Sequence, residues 1–196
     1  MTPETADDAL ALAEAHGISP VVTHSALRAL RDVEGAWSDA QFLRLYRLGG
    51  VFSFGLSGLL LDPVNPTAAV PDDFCPGTLE AWQLHYQAAV ALLVADGQAP
   101  VVGWSSDWNG WLSHSRPAYG ARACRPLDTL SDPLPIDTLG LAHPGLLPDH
   151  WTRLERRGVD LAPARSSAEA FLRLWEAARS GGADPTSGTV PTGRTP

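Results

Sequence analysis

The chain has 196 residues, 44% of them hydrophobic and 18% charged, with seven tryptophans and a formal net charge of −8. That apolar content supports one buried core, and the acidity argues against affinity built on phosphate neutralisation and against attachment to an anionic membrane surface. All 14 basic residues are arginine, which excludes a Walker A lysine, a Schiff-base or pyridoxal-phosphate lysine and a kinase strand lysine.

The N-terminal MTPETADDALALAEAHG carries acids where a signal peptide needs bases, and no apolar run approaches the ~20 residues of a membrane span, so the cytoplasm is the expected compartment. Residues 5–16 read as a helix capped by Thr5, and a second is expected over about 24–34, with Leu27 and Leu30 at helical spacing. The third is the clearest: Ser38 caps it, Phe42, Leu43 and Tyr46 share a face, and Gly49-Gly50 ends it.

In VFSFGLSGLLLD (51–62) aromatic and aliphatic residues mix with Ser and Gly, predicting a bent strand. Four prolines make 63–77 a loop. The next segment predicts the longest helix, with Leu79, Trp82, Tyr86, Val90, Leu93 and Val94 on one face and Gly97 closing it. In PVVGWSSDWNGWLSHS, Asn109-Gly110 signals a β-hairpin, because both residues tolerate the positive φ of a type I′ turn. Trp108 then faces Trp111, Trp104 faces Ser115, and three tryptophans share one face.

Short apolar pieces such as PIDTLGL (135–141) read as edge strands, and 148–157 as a short helix. The closing helix starts at a Ser166–Glu169 capping box and presents Ala168, Phe171, Leu172, Trp175 and Ala178 as its buried stripe. The order predicts one α+β domain over 1–180, with helices packed on one side of a mostly antiparallel sheet, then a disordered tail over 181–196.

No catalytic residue, metal ligand or cofactor is assigned. The six histidines match no zinc-protease or deaminase pattern, and Asp149, His150 and Glu155 read as a cap followed by a surface turn rather than as ligands. Around Ser57, G-L-S-G falls one residue short of a nucleophile elbow and lacks a helix-forming run behind it, so Ser57 reads as a strand residue. Cys75 and Cys124 have the option of one disulfide. Neither has a positioned base, and Arg122 and Arg125 flank Cys124.

Three segments together resemble the SUKH superfamily of bacterial immunity proteins: WSDAQFLRLYRLGG (37–50), PVVGWSSDWNGWLSH (100–114) and SSAEAFLRLWEAA (166–178). The resemblance implies a non-catalytic α+β module, monomeric or homodimeric, that binds and neutralises a toxin. The turn at Asp107, Trp108, Asn109 and Gly110 would then be its contact, with Trp104 and Trp111 as neighbouring anchors. The acidity suits a basic toxin as partner. The alternative is a small hydrolase of a carbohydrate-like substrate, pairing Asp107 with Glu80, Asp62 or Asp128 at a separation of roughly 5–10 Å.

Overall fold

Pro3 occupies the first position of α1 (Pro3–Ala15), where its missing N–H costs nothing, and the Thr2 hydroxyl accepts the Thr5 N–H. The helix therefore starts before the expected Thr5 cap. The computed structural model describes residues 2–106, 108 and 114–181. The Asn109-Gly110 turn and the segment from 182 onward lie outside the described residues.

The helix expected over 24–34 does not form. Val21–Ser25 is instead a strand, β1, as its β-branched residues favour. Leu27 and Leu30 are buried all the same, in turns held by Arg28 N–H on Trp37 C=O and Trp37 N–H on Ala26 C=O. The next helix, α2 (Asp39–Arg47), is closed by a reciprocal capping box between Ser38 and Gln41. Its buried line is Phe42, Leu45 and Tyr46; Leu43 is only half-buried. Gly50 returns the chain to the sheet at a point where a Cβ would lie 2.4 Å from the Pro20 carbonyl oxygen, so no larger residue fits.

β2 (Val51–Gly55) is the central strand and is buried throughout. It pairs with β1 on one side and with β3 (Gly103–Ser105) on the other, in the order β1-β2-β3, and both ladders are parallel. The mostly antiparallel sheet expected from the sequence is thus overturned. The cause is connectivity: α2 lies between β1 and β2, while α3 (Gly58–Leu61) and α4 (Leu79–Ala95) lie between β2 and β3. A helix in the connection returns the chain to the same end of the sheet and makes the next strand parallel.

Phe52 and Phe54 point into an aromatic core with Trp37, Phe42 and Tyr46. α4 adds Trp82, Tyr86, Ala89 and Leu93 to it, while Val94 faces solvent. Val21, Thr23, Val51, Ser53, Gly103 and Ser105 line a groove on the other face, with α8 (Ser167–Gly181) across it. Helices therefore occupy both faces, not one.

PIDTLGL forms α5 (Pro135–Leu139) rather than an edge strand, because Pro135 suits a helix start and the Asp137 carboxylate accepts the Leu134 N–H at 2.6 Å. After α6 (Leu147–Arg156) and α7 (Ala162–Arg165), the Ser166 hydroxyl donates to Pro163 instead of forming the expected capping box. The stripe predicted to be buried on α8 stays open to solvent, with Phe171, Leu172 and Trp175 49%, 55% and 57% exposed, although Phe171 and Leu172 line the groove over the sheet. Cys75 and Cys124 form a disulfide across 49 residues of sequence. Among the described residues, no helix is long and apolar enough to cross a membrane.

Candidate functional site

In an open parallel sheet the strands end together, and the crevice beyond their carboxyl ends is the usual place for a ligand. Here that edge carries a cleft of about 220 Å3 lined by His24, Arg31, Glu34, Ser57, Ser106 and His114, among others.

His24 is placed by an irregularity of β1. The register runs Val22 opposite Phe52 and then Ser25 opposite Phe54, so β1 contains one extra residue. Such a bulge bends a strand and re-aims a side chain. Within it His24 has φ of 57°, the only non-glycine positive φ among the described residues. That conformation costs an L-residue roughly 1–2 kcal/mol, and such strain concentrates at functional positions. His24→Gly is therefore expected to keep or raise the melting temperature, and His24→Val, β-branched and intolerant of positive φ, to lower it. Thermal denaturation of the two variants checks this.

Ser57 is not the strand residue the sequence suggests. It is buried in the turn between β2 and α3, so a strand–turn–helix does surround it, although the helix is one turn long. The ladder continues past β2 through Leu56 N–H on Ser105 C=O, and the Ser115 hydroxyl donates to Leu56 C=O at 3.0 Å. His114 donates from Nε2 to the Ser106 carbonyl at 2.6 Å. Trp108 stacks on this imidazole at 4.2 Å between ring centroids.

The walls are braced from beneath. Arg31 donates to Asp62 C=O at 2.8 Å, joining the loop after β1 to the end of α3. His85, fully buried on α4, accepts the Leu27 N–H at Nδ1 (3.1 Å) and donates from Nε2 to Leu61 C=O (3.0 Å). Only a neutral ring makes both bonds, and burial holds its pKa down at about 4.

The residues singled out from the sequence fall into different places. Trp104 is 37% exposed on β3 and packs edge-on against Trp151 of α6, 5.3 Å between centroids, so it does not line the cleft. Trp108 is half-buried at the rim. Asp107, Asn109 and Trp111 lie outside the described residues. The expected pairing of Trp104 with Ser115 is absent, since Ser115 belongs to no strand and bonds Leu56.

The carboxylates proposed as partners for Asp107 are engaged or distant. Glu80 is buried against Arg125 and Arg157, Asp62 accepts the Gly77 N–H at 2.5 Å, and Asp128 is exposed in a 3-10 turn. None of them lines the cleft; Glu34 does. His150 is fully buried rather than on a surface turn, and Glu155 pairs with Arg165.

His24, Glu34 and Ser106 were missed. The polar triplet Thr23-His24-Ser25 after two valines is the one signal that marks a strand running out at a ligand edge. No family model matches this chain, and no curated protein matches it.

Proposed function

We propose that this protein is a binding module that takes a side-chain-sized polar group of a protein partner into the cleft at the carboxyl edge of its sheet. The observation that carries the reading is the closure of Ser106 onto His114. Ser106 and His114, which flank the sequence segment containing Asp107, Trp108, Asn109 and Trp111, both line the cleft. Aromatic side chains beside a small pocket are the usual composition of a binding hot spot. The cleft is smaller than the ~300–1,000 Å3 of sites for drug-sized ligands, which favours one inserted group over a whole small molecule.

With a net charge of −8 the fitting partner is basic, and a basic toxin neutralised by blockade is the proposed case. The proposal stands on the cleft rather than on the family resemblance. The setting proposed is the cytoplasm, where a disulfide is transient or redox-sensing rather than permanent.

Co-expression with the protein encoded beside this one tests the reading. A complex is expected with wild type, weakened at least tenfold in Kd, about 1.4 kcal/mol, by Ser57→Trp, which fills the cleft, and by His114→Ala, which opens the rim. Thermal denaturation separates lost binding from lost folding. Absence of any complex, or undiminished binding by both folded variants, overturns the reading.

A second reading rests on Ser57, a hydroxyl at a strand-to-helix turn in a cleft with two imidazoles, as acyl transfer requires. Labelling by a fluorophosphonate that disappears in Ser57→Ala would establish it; an unlabelled protein rejects it.

A further inference from the structure

We propose that Cys124 is a modification site, the sulfur at which a small anionic thiol opens the Cys75–Cys124 bridge, and that opening the bridge loosens the α3 wall of the cleft through Gly77. This second part rests on the cleft being the binding site.

The two halves of the bridge are unequal. Cys75 is 1% exposed, whereas Cys124 is exposed and stands between Arg122 and Arg125. Exchange begins with a thiolate attacking one sulfur, and access decides which. Solvent reaches the Cys124 side, and the exposed Arg122 draws an anionic thiol such as glutathione towards it, Arg125 being held by Glu80 and Asp73.

The thiolate forms a bond to Cys124 Sγ, the S–S bond breaks, and Cys75 leaves as a thiolate that takes a proton from water. A second thiol then attacks the mixed disulfide, releasing the small-molecule disulfide and leaving Cys124 as a thiol. Two small thiols have supplied two electrons and two protons.

Cys75 is joined to the cleft by a short chain of contacts. Its carbonyl accepts the Thr78 hydroxyl at 2.8 Å, and between them Gly77 is clamped. The Gly77 N–H donates to Asp62 Oδ1 at 2.5 Å, and its carbonyl accepts the Arg116 N–H at 2.6 Å. Gly77 also lies so close to α3 that a Cβ on Gly58 would be 2.1 Å from its carbonyl oxygen. Helix α3 follows Ser57 and brings Leu60 and Leu61 to the cleft. The bridge therefore anchors the loop against which that wall is packed.

The test uses the full chain and reduced glutathione as probe. Peptide mapping is expected to place one glutathione on the peptide containing Cys124 and none on that containing Cys75. In the fully reduced protein, amide exchange at Leu60–Asp62 and Gly77 is expected to rise at least tenfold, with Phe42 and Leu45 in α2 unchanged. The folded double variant Cys75→Ser/Cys124→Ser should reproduce the faster exchange; should it not fold, the reduced wild type carries the measurement. Glutathione on Cys75, no adduct before global unfolding, or unchanged exchange at α3 overturns the proposal. None of these readouts involves the partner, so their failure leaves the binding reading standing, and failure of the partner experiment leaves the Cys124 adduct and the α3 exchange standing while removing their bearing on binding.

Discussion

Between pH 7 and pH 4 the protein is expected to lose about 4–6 kcal/mol of stability, a large share of the ~5–15 kcal/mol a folded domain ordinarily has. The source is two histidines on the inside. His85 is held neutral by burial, with its pKa down at about 4, and His150, enclosed by Trp82 and Trp151, is pushed down to about 3. Once unfolded, each titrates near 6.5. The unfolded chain therefore binds protons that the folded one refuses. The full contribution is present above pH 6.5 and is lost as the pH falls from there through the folded values.

Urea denaturation at pH 7, 5.5 and 4 reads this directly, and a flat profile would sink it. His150→Phe separates the two groups. Neither ring nitrogen of His150 has a hydrogen-bond partner among the described residues, so replacing the ring with an apolar one of similar shape is expected to leave pH 7 stability unchanged or raise it by about 1 kcal/mol. About half of the acid dependence should go with it. His85 differs, because its two bonds tie Leu27 to Leu61, and its protonation would break the first of them at the cleft.

Glu80→Ala is expected to cost about 3–5 kcal/mol, the range for removing one partner of a buried ion pair. The Glu80 carboxylate is 4% exposed and receives the Cys75 N–H at 2.9 Å, Arg125 at 2.5 and 3.2 Å, and Arg157 at 3.0 Å. Its loss leaves two guanidinium groups and a buried amide without their acceptor. Glu169→Ala is the control: the Glu169–Arg173 pair, 3.5 Å apart and 63% exposed on both sides, should be worth under about 1 kcal/mol. Denaturant midpoints of the two variants measure the contrast, and equal shifts would refute the buried network as a stabilising unit.

Helices were legible wherever cap, period and stop agreed. Ser38 as cap, the apolar line to Tyr46 and the glycines at 49 and 50 define α2 without help from the rest of the chain. α4 was read from Leu79, Trp82, Tyr86 and Leu93 in the same way, since a 3.6-residue period is a local property. β1 was not legible. Five residues carry too little period to outweigh the helical spacing of Leu27 and Leu30, and only pairing with Val51 and Phe52 makes a strand of them.

Missing β1 hid the alternation of strand and helix, and with it the parallel sheet, the shared carboxyl edge and the cleft. Ser57, His24 and His114 are distant in sequence, and no local pattern announces that three strand ends will bring them together.

By itself, then, the sequence determined the absence of lysine chemistry, the acidity, and the helices whose signals lie within one or two turns. Tertiary structure alone decided the strand direction, the exposure of Phe171, Leu172 and Trp175, the pairing of Cys75 with Cys124, and the cleft. The division follows from range. Periodicity and caps are written between neighbours along the chain, whereas pairing, burial and site assembly depend on residues that meet only after the backbone has returned.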